Sequence, residues 1–219
     1  MLKYPCLVLD HDDTVVQSER TVNYPFFCQI LDEFRPGQTI SELEYVKSCF
    51  DPGFIEMCRE KFGFTDEELD KEYRGWQEYV RSHVPAPYPG IEQIIRRQKE
   101  LGGIVCVVSQ SAESTIRRDY QLHFNLQPDA IYSWDLPVEQ RKPNAYALEH
   151  IMQTYGFTAD QLLVIDDMKP AWEMAKKVNA PIAFAAWSKT EIPAIVEEMT
   201  KLCDFAFHST AELEDFLFN

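Results

Sequence analysis

The chain has 219 residues, 45% of them hydrophobic, with a formal net charge of -15 and a pI near 4.7, so it can bury one core with a sizeable insertion or two small ones. So acidic a balance excludes a phosphate-backbone partner, which needs a basic surface to displace counterions, and no nucleic acid is expected. No apolar run approaches a membrane span, and six cysteines without a Cys-x-x-Cys pair or zinc spacing, behind a start that leads directly into a strand, give a soluble cytoplasmic protein as the expectation.

The first element is the apolar run Cys6-Leu7-Val8-Leu9, read as a strand of a parallel sheet because a strand covered on both faces needs no polar alternation. It stops in Asp10, Asp12 and Asp13, with Thr14 next. Carboxylates at that point belong at the carboxyl edge of an open α/β sheet, where ligands bind. From about Val15 to Ser82 the pattern turns helical. The stretches 21–34, 40–50, 53–62 and 66–82 carry apolar residues three and four apart, broken at Arg35-Pro36-Gly37, at Asp51-Pro52-Gly53 and near Gly63, and Thr65 to Glu68 reads as a helix start. The proline-rich stretch Val84 to Gly90 then reads as a stiff linker.

Beyond the linker, helices and strands alternate. Helices are predicted over 91–101, 111–124, 143–155, 170–178, 193–202 and 211–217, and strands over 104–108, 130–134, 162–166, 181–186 and 205–207, with Pro143 placed in the first turn of its helix. Such alternation argues for a parallel sheet with helices on both faces. The domain reading is a core of residues 1–16 and 86–219 interrupted by a helical insertion, 17–85. Neither a Walker loop nor a Gly-x-Gly-x-x-Gly fingerprint is present, so a glycine-rich nucleotide cradle has no support.

Two later strands end as the first does, at Ser109 and at Asp166-Asp167, and Lys142-Pro143 lies between them. Asp-x-Asp-x-Thr, then Ser, then Lys, then Asp-Asp, each at the mouth of an α/β element, resembles the haloacid dehalogenase superfamily of phosphohydrolases. The inserted helices resemble the members with a small α-helical cap, the phosphoglycolate phosphatase and β-phosphoglucomutase group. The resemblance implies an α/β fold: a Rossmann-like three-layer α/β/α core with a parallel sheet, and a cap that closes over the substrate.

Bringing Asp10, Asp12, Asp166 and Asp167 together is costly, since two like charges about 4 Å apart repel by about 4 kcal/mol near a protein surface. An all-oxygen set calls for a hard cation, and Mg2+ suits it. The expected mechanism has Asp10 attack phosphorus and Asp12 serve as general acid and then base. Lys142 is expected to offset charge, and Ser109 with nearby backbone N–H groups, Lys142 and Thr14 to hold phosphate, Thr14 also orienting the loop. By the resemblance Asp167 binds the metal directly and Asp166 through water. Asp12 separates this chain from dehalogenases and phosphonatases, which lack a carboxylic acid there, and Val22 stands where β-phosphoglucomutase has a hinge histidine, so a hydrolase is favoured over a mutase. The substrate expected is a small phosphorylated metabolite, phosphoglycolate-like or a sugar phosphate. A phosphomutase and a catalytically silent binding protein are the alternatives. Asp13 departs from the superfamily pattern, where glycine usually stands; aspartate tolerates the left-handed backbone better than most side chains do.

Overall fold

The computed structural model describes residues 2–219. The chain divides into two compact units: Gln17–Pro85 forms one, and the segments up to Val16 and from Ala86 onward form the other.

The larger unit is built on a six-stranded parallel sheet. Its strands are β1 (Cys6–Leu9), β2 (Ile104–Val108), β3 (Ala130–Tyr132), β4 (Leu162–Asp166), β5 (Ile182–Ala185) and β6 (Phe205–Phe207), in the order β3-β2-β1-β4-β5-β6. Strand order reverses between β1 and β4, the kind of switch point outside which open α/β sheets bind ligands. Register lines up the strand ends: Leu9 faces Val107 on one side and Ile165 on the other, so Asp10 lies level with Val108 and Asp166.

Alternate residues of the sheet serve two cores. Leu7, Leu9, Val105, Val107, Leu163 and Ile165 pack on Ile91, Ile94 and Ile95 of one helix (Ile91–Glu100), on Ile116, Tyr120 and Phe124 of a second (Glu113–Phe124), and on Leu213 and Leu217 of the last (Thr210–Phe218). Cys6, Val8, Cys106, Val108, Leu162 and Val164 pack on Ala147, Leu148 and Ile151 (helix Tyr146–Tyr155) and on Ala171, Met174 and Ala175 (helix Lys169–Val178). With both faces covered, no strand needs polar alternation, and each fully buried aliphatic side chain stabilises by about 1.5–3 kcal/mol. The Rossmann-like three-layer α/β expectation therefore holds for this unit.

Most element limits agree with the sequence pattern to within two residues. The clearest difference is at Lys142. The expected helix over 143–155 begins only at Tyr146, because residues 141–144 close a turn in which the Asn144 N–H donates to the Arg141 carbonyl at 2.8 Å. Pro143 follows a cis peptide bond and lies in that turn, not in the helix.

The smaller unit is all helical: α1 (Tyr24–Phe34), α2 (Glu42–Ser48), α3 (Phe54–Phe62) and α4 (Asp66–Ser82). Its core is aromatic. Phe27 is fully buried with the rings of Tyr45, Phe54 and Phe62 at 5.1, 5.8 and 5.6 Å. Gly75 lets α4 approach α1, since a Cβ there would meet the Phe26 ring at 3.0 Å. Thr65 and Glu68 form the capping box that the sequence suggested for α4, and Arg35 grips Glu68 with two hydrogen bonds of 2.7 and 2.9 Å.

Candidate active site

The loop after β1 is held from inside. The Asp10 N–H donates to Ile165 at 2.9 Å, the Asp13 N–H donates to Val16 at 2.7 Å, and the N–H groups of Val15 and Val16 both reach the His11 carbonyl. His11 is fully buried and pairs through Nε2 with Asp119 at 3.1 Å, so it acts as packing for the loop. Asp13 takes a left-handed backbone with φ of 54°.

Asp10, Asp166 and Asp167 are brought together at the mouth of β1 and β4, each buried and each offering a carboxylate oxygen within 4.8 Å of the others. The Lys142 ammonium, itself only 5% exposed, donates to Asp10 Oδ1 at 2.8 Å and to Asp166 Oδ2 at 2.7 Å. The remaining oxygen of Asp166 accepts from the Met168 N–H at 2.9 Å. Asp167 differs: its Oδ1 is buried and has no hydrogen-bond partner. A buried, unpartnered carboxylate oxygen is expensive unless something cationic meets it. An all-oxygen donor set with such an atom suits a hard divalent ion. These residues therefore fit a divalent metal ion.

The electrostatics agree with that fit. Burial pushes the Asp10 carboxyl well above its ordinary range; Lys142 pulls it down, while Asp166, Asp167 and Asp12 push it up further. Asp166 is raised for the same first reason, against the pull of Lys142. Burial alone would lower the Lys142 pKa, but the two carboxylates outweigh it and raise it, so this lysine is charged. A cation at the trio would relieve the repulsion that disfavours ionised Asp10.

The other sequence candidates are placed as follows. Of the four carboxylates expected from the sequence, Asp10, Asp166 and Asp167 are the three gathered here, and the Asp12 Oδ2 accepts from the Ser111 hydroxyl. Ser109 is buried, and its hydroxyl accepts from the Ser111 N–H at 3.1 Å. The helix after it starts only at Glu113, whose N–H is taken by Asp135 at 2.8 Å. Thr14 is buried with an unpartnered hydroxyl.

Two participants escaped the sequence reading. Ser111, two residues past the expected Ser109, is the partner of Asp12. Lys189, in the turn after β5, is 1% exposed and donates to Asp13 at 2.9 Å and to Asp167 Oδ2 at 2.7 Å. The only signal for it was a lysine shortly after a strand, which surface lysines supply routinely. Asp13 is the residue that breaks the expected pattern, and its partner is this buried cation.

No curated protein matches the sequence. Solved structures match over nearly the whole chain at low identity, which establishes likeness of fold. A predicted phosphoglycolate phosphatase from Haemophilus somnus 129PT has 15% identity and a TM-score of 0.73, covering 99% of each chain. CbbY from Rhodobacter sphaeroides, solved with xylulose-(1,5)bisphosphate, has 15% identity and a TM-score of 0.70 over 97% of this chain and 96% of that one. A hydrolase of the same superfamily from Deinococcus radiodurans R1, solved with phosphate and sodium, has 16% identity and a TM-score of 0.70 over 99% and 98%. The sequence profile of the haloacid dehalogenase-like hydrolases matches residues 7–185, from the first strand through β5, and the chain belongs to that family.

Proposed function

We propose that this hydrolase is a Mg2+-dependent phosphatase of a small phosphate monoester, working through a phosphoryl intermediate on Asp10. The observation that carries the reading is the buried, unpartnered Asp167 Oδ1 gathered with Asp10 and Asp166 beside the Lys142 ammonium. Phosphate and a sugar bisphosphate bound to the Deinococcus and Rhodobacter proteins support the substrate class.

On this reading an Asp10 oxygen attacks phosphorus while the ester P–O bond breaks. Asp12, oriented by Ser111, gives its proton to the departing alkoxide. It then takes one from the water that attacks the aspartyl-phosphate, and inorganic phosphate leaves with Asp10 restored. Lys142 holds the Asp10 carboxylate in place and balances its charge. Ser109 and Thr14 offer hydroxyls to the phosphate oxygens. Asp10, Asp166 and Asp167 would hold Mg2+, with Asp167 bonding directly and Asp166, both of whose oxygens are engaged, through water. Bound Mg2+ supplies neutralisation of the transferring phosphoryl oxygens. The helical insertion, residues 17–85, is on this reading the cap, and substrate choice is assigned to it.

The test is phosphate release from a panel of small esters, phosphoglycolate and sugar phosphates among them, with Mg2+ or with EDTA. Turnover is expected only with the ion and is expected to fall at least about a thousandfold in Asp10→Asn. Turnover that survives this substitution would refute the mechanism.

A further inference from the structure

Lys189 is a costly residue. A lysine with 1% exposure loses the hydration of its charge, and nothing in the steps above uses it. Its ammonium lies between two carboxylates, Asp13 Oδ2 at 2.9 Å and Asp167 Oδ2 at 2.7 Å. Asp13 carries a cost of its own, since a side chain at φ of 54° sits in the left-handed region that glycine occupies freely. Two unfavourable features that meet in one ion pair are best explained together.

We infer that Asp13 and Lys189 act as one charge-neutral unit that positions Asp167, clamping its Oδ2 so that Oδ1 is left for the metal. The inference rests on the metal reading of the previous subsection. The arrangement is parallel to the other half of the site, where Lys142 bridges Asp10 and Asp166. The four carboxylates that the two lysines bridge, Asp10, Asp166, Asp13 and Asp167, exceed the two ammonium groups by two charges, the charge of one divalent ion. Removing Asp13 alone leaves an excess positive charge against Asp167, so the cation site weakens. Removing Lys189 alone leaves two buried carboxylates without their shared counterion; the metal-free protein loses stability, and the ion stabilises it more than it does the native protein. Removing both returns the charge balance.

Thermal melting with EDTA and across a Mg2+ titration tests this without reference to turnover. The variants are Asp13→Asn, which keeps a side chain suited to the left-handed backbone, Lys189→Met, and the double variant, with Asp167→Asn as the control for the metal reading. Asp13→Asn is expected to need well over tenfold more Mg2+ for half of its melting shift, since the excess unit charge left beside Asp167 repels the ion. Lys189→Met is expected to melt several degrees lower in EDTA and to gain more from Mg2+ than the native protein gains. The double variant is expected to fall between them, near the native response. A purely structural role for the pair would lower the melting temperature in EDTA and leave the Mg2+ response alone, which would overturn the inference. If Lys189→Met does not fold, Asp13→Asn decides alone: an unchanged Mg2+ midpoint overturns the inference. A native protein whose melting ignores Mg2+ overturns both this inference and the metal reading. A native response that Asp167→Asn abolishes while the pair variants leave it untouched overturns this inference only.

Discussion

Asp10, Asp166 and Lys142 form a buried charged group, with each side chain below one tenth exposed. Removing the lysine would leave two buried carboxylates against each other, a change of the class that costs about 3–5 kcal/mol. Lys142→Met is therefore expected to lower the melting temperature in EDTA by roughly 10 °C, at about 2–4 °C per kcal/mol for a chain of this size. Differential scanning calorimetry reads it directly, and a fall of less than a degree would show that Lys142 is not the counterion of the pair. The residue scale is also where the sequence was most legible and least complete. Asp10, Ser109, Lys142, Asp166 and Asp167 were recognisable because each ends a strand or opens a loop in a fixed order. Lys189 was not, because the buried state of a lysine depends on what surrounds it, and Asp13 lies far from it along the chain.

Among the elements, α4 combines a well-made start with an awkward interior. Thr65 and Glu68 cap it, and Arg35 holds the Glu68 carboxyl down at about 2. Glu72, by contrast, is buried, and desolvation lifts its carboxyl to about 7. The same environment raises its neighbours: burial, and then the charge of Glu72, take the Cys58 thiol to about 12. A raised carboxyl pKa means that the folded state holds its proton where the unfolded chain has released it. The neutral form's contribution is complete below the unfolded value near 4.5, declines as pH rises, and is gone above about 7. Glu72→Gln is thus expected to leave stability unchanged at pH 4 and to raise it by about 3 kcal/mol at pH 8. Urea denaturation followed by aromatic fluorescence at the two pH values measures this. A variant no more stable at pH 8 would mean that Glu72 is ionised in the fold without penalty. Helix limits were readable here because α4 has both a capping box and an apolar period. The helix after Lys142 was misplaced by three residues because proline marks a turn as readily as it marks a helix start.

On the scale of the whole molecule, charge is the dominant feature. A formal net charge of -15 repels itself across the surface, and few of the exposed ion pairs offset it by more than a few tenths of a kcal/mol each. Raising KCl from about 10 mM to about 150 mM, which shortens the Debye length from about 30 Å to about 8 Å, is expected to raise the melting temperature in EDTA. A melting temperature that falls with salt would mean that attractive surface pairs outweigh the repulsion. Among the described residues no helix is long and apolar enough to cross a membrane, in line with the scattered apolar pattern of the sequence.

What the sequence determined by itself was the alternation of strands and helices, the two cores that follow from apolar strands covered on both faces, and the recurrence of acid, serine and lysine where strands end. Those features are local, because hydrophobic period and strand termination are properties of a short window of chain. Tertiary structure alone decided the register that sets Asp10 level with Asp166, the turn of Asp12 toward Ser111, and the burial of Lys189 between Asp13 and Asp167. The physical reason is that a charge acquires its role from the counter-charges and the solvent it meets after folding. Those groups come from different strand mouths, brought together only by the fold.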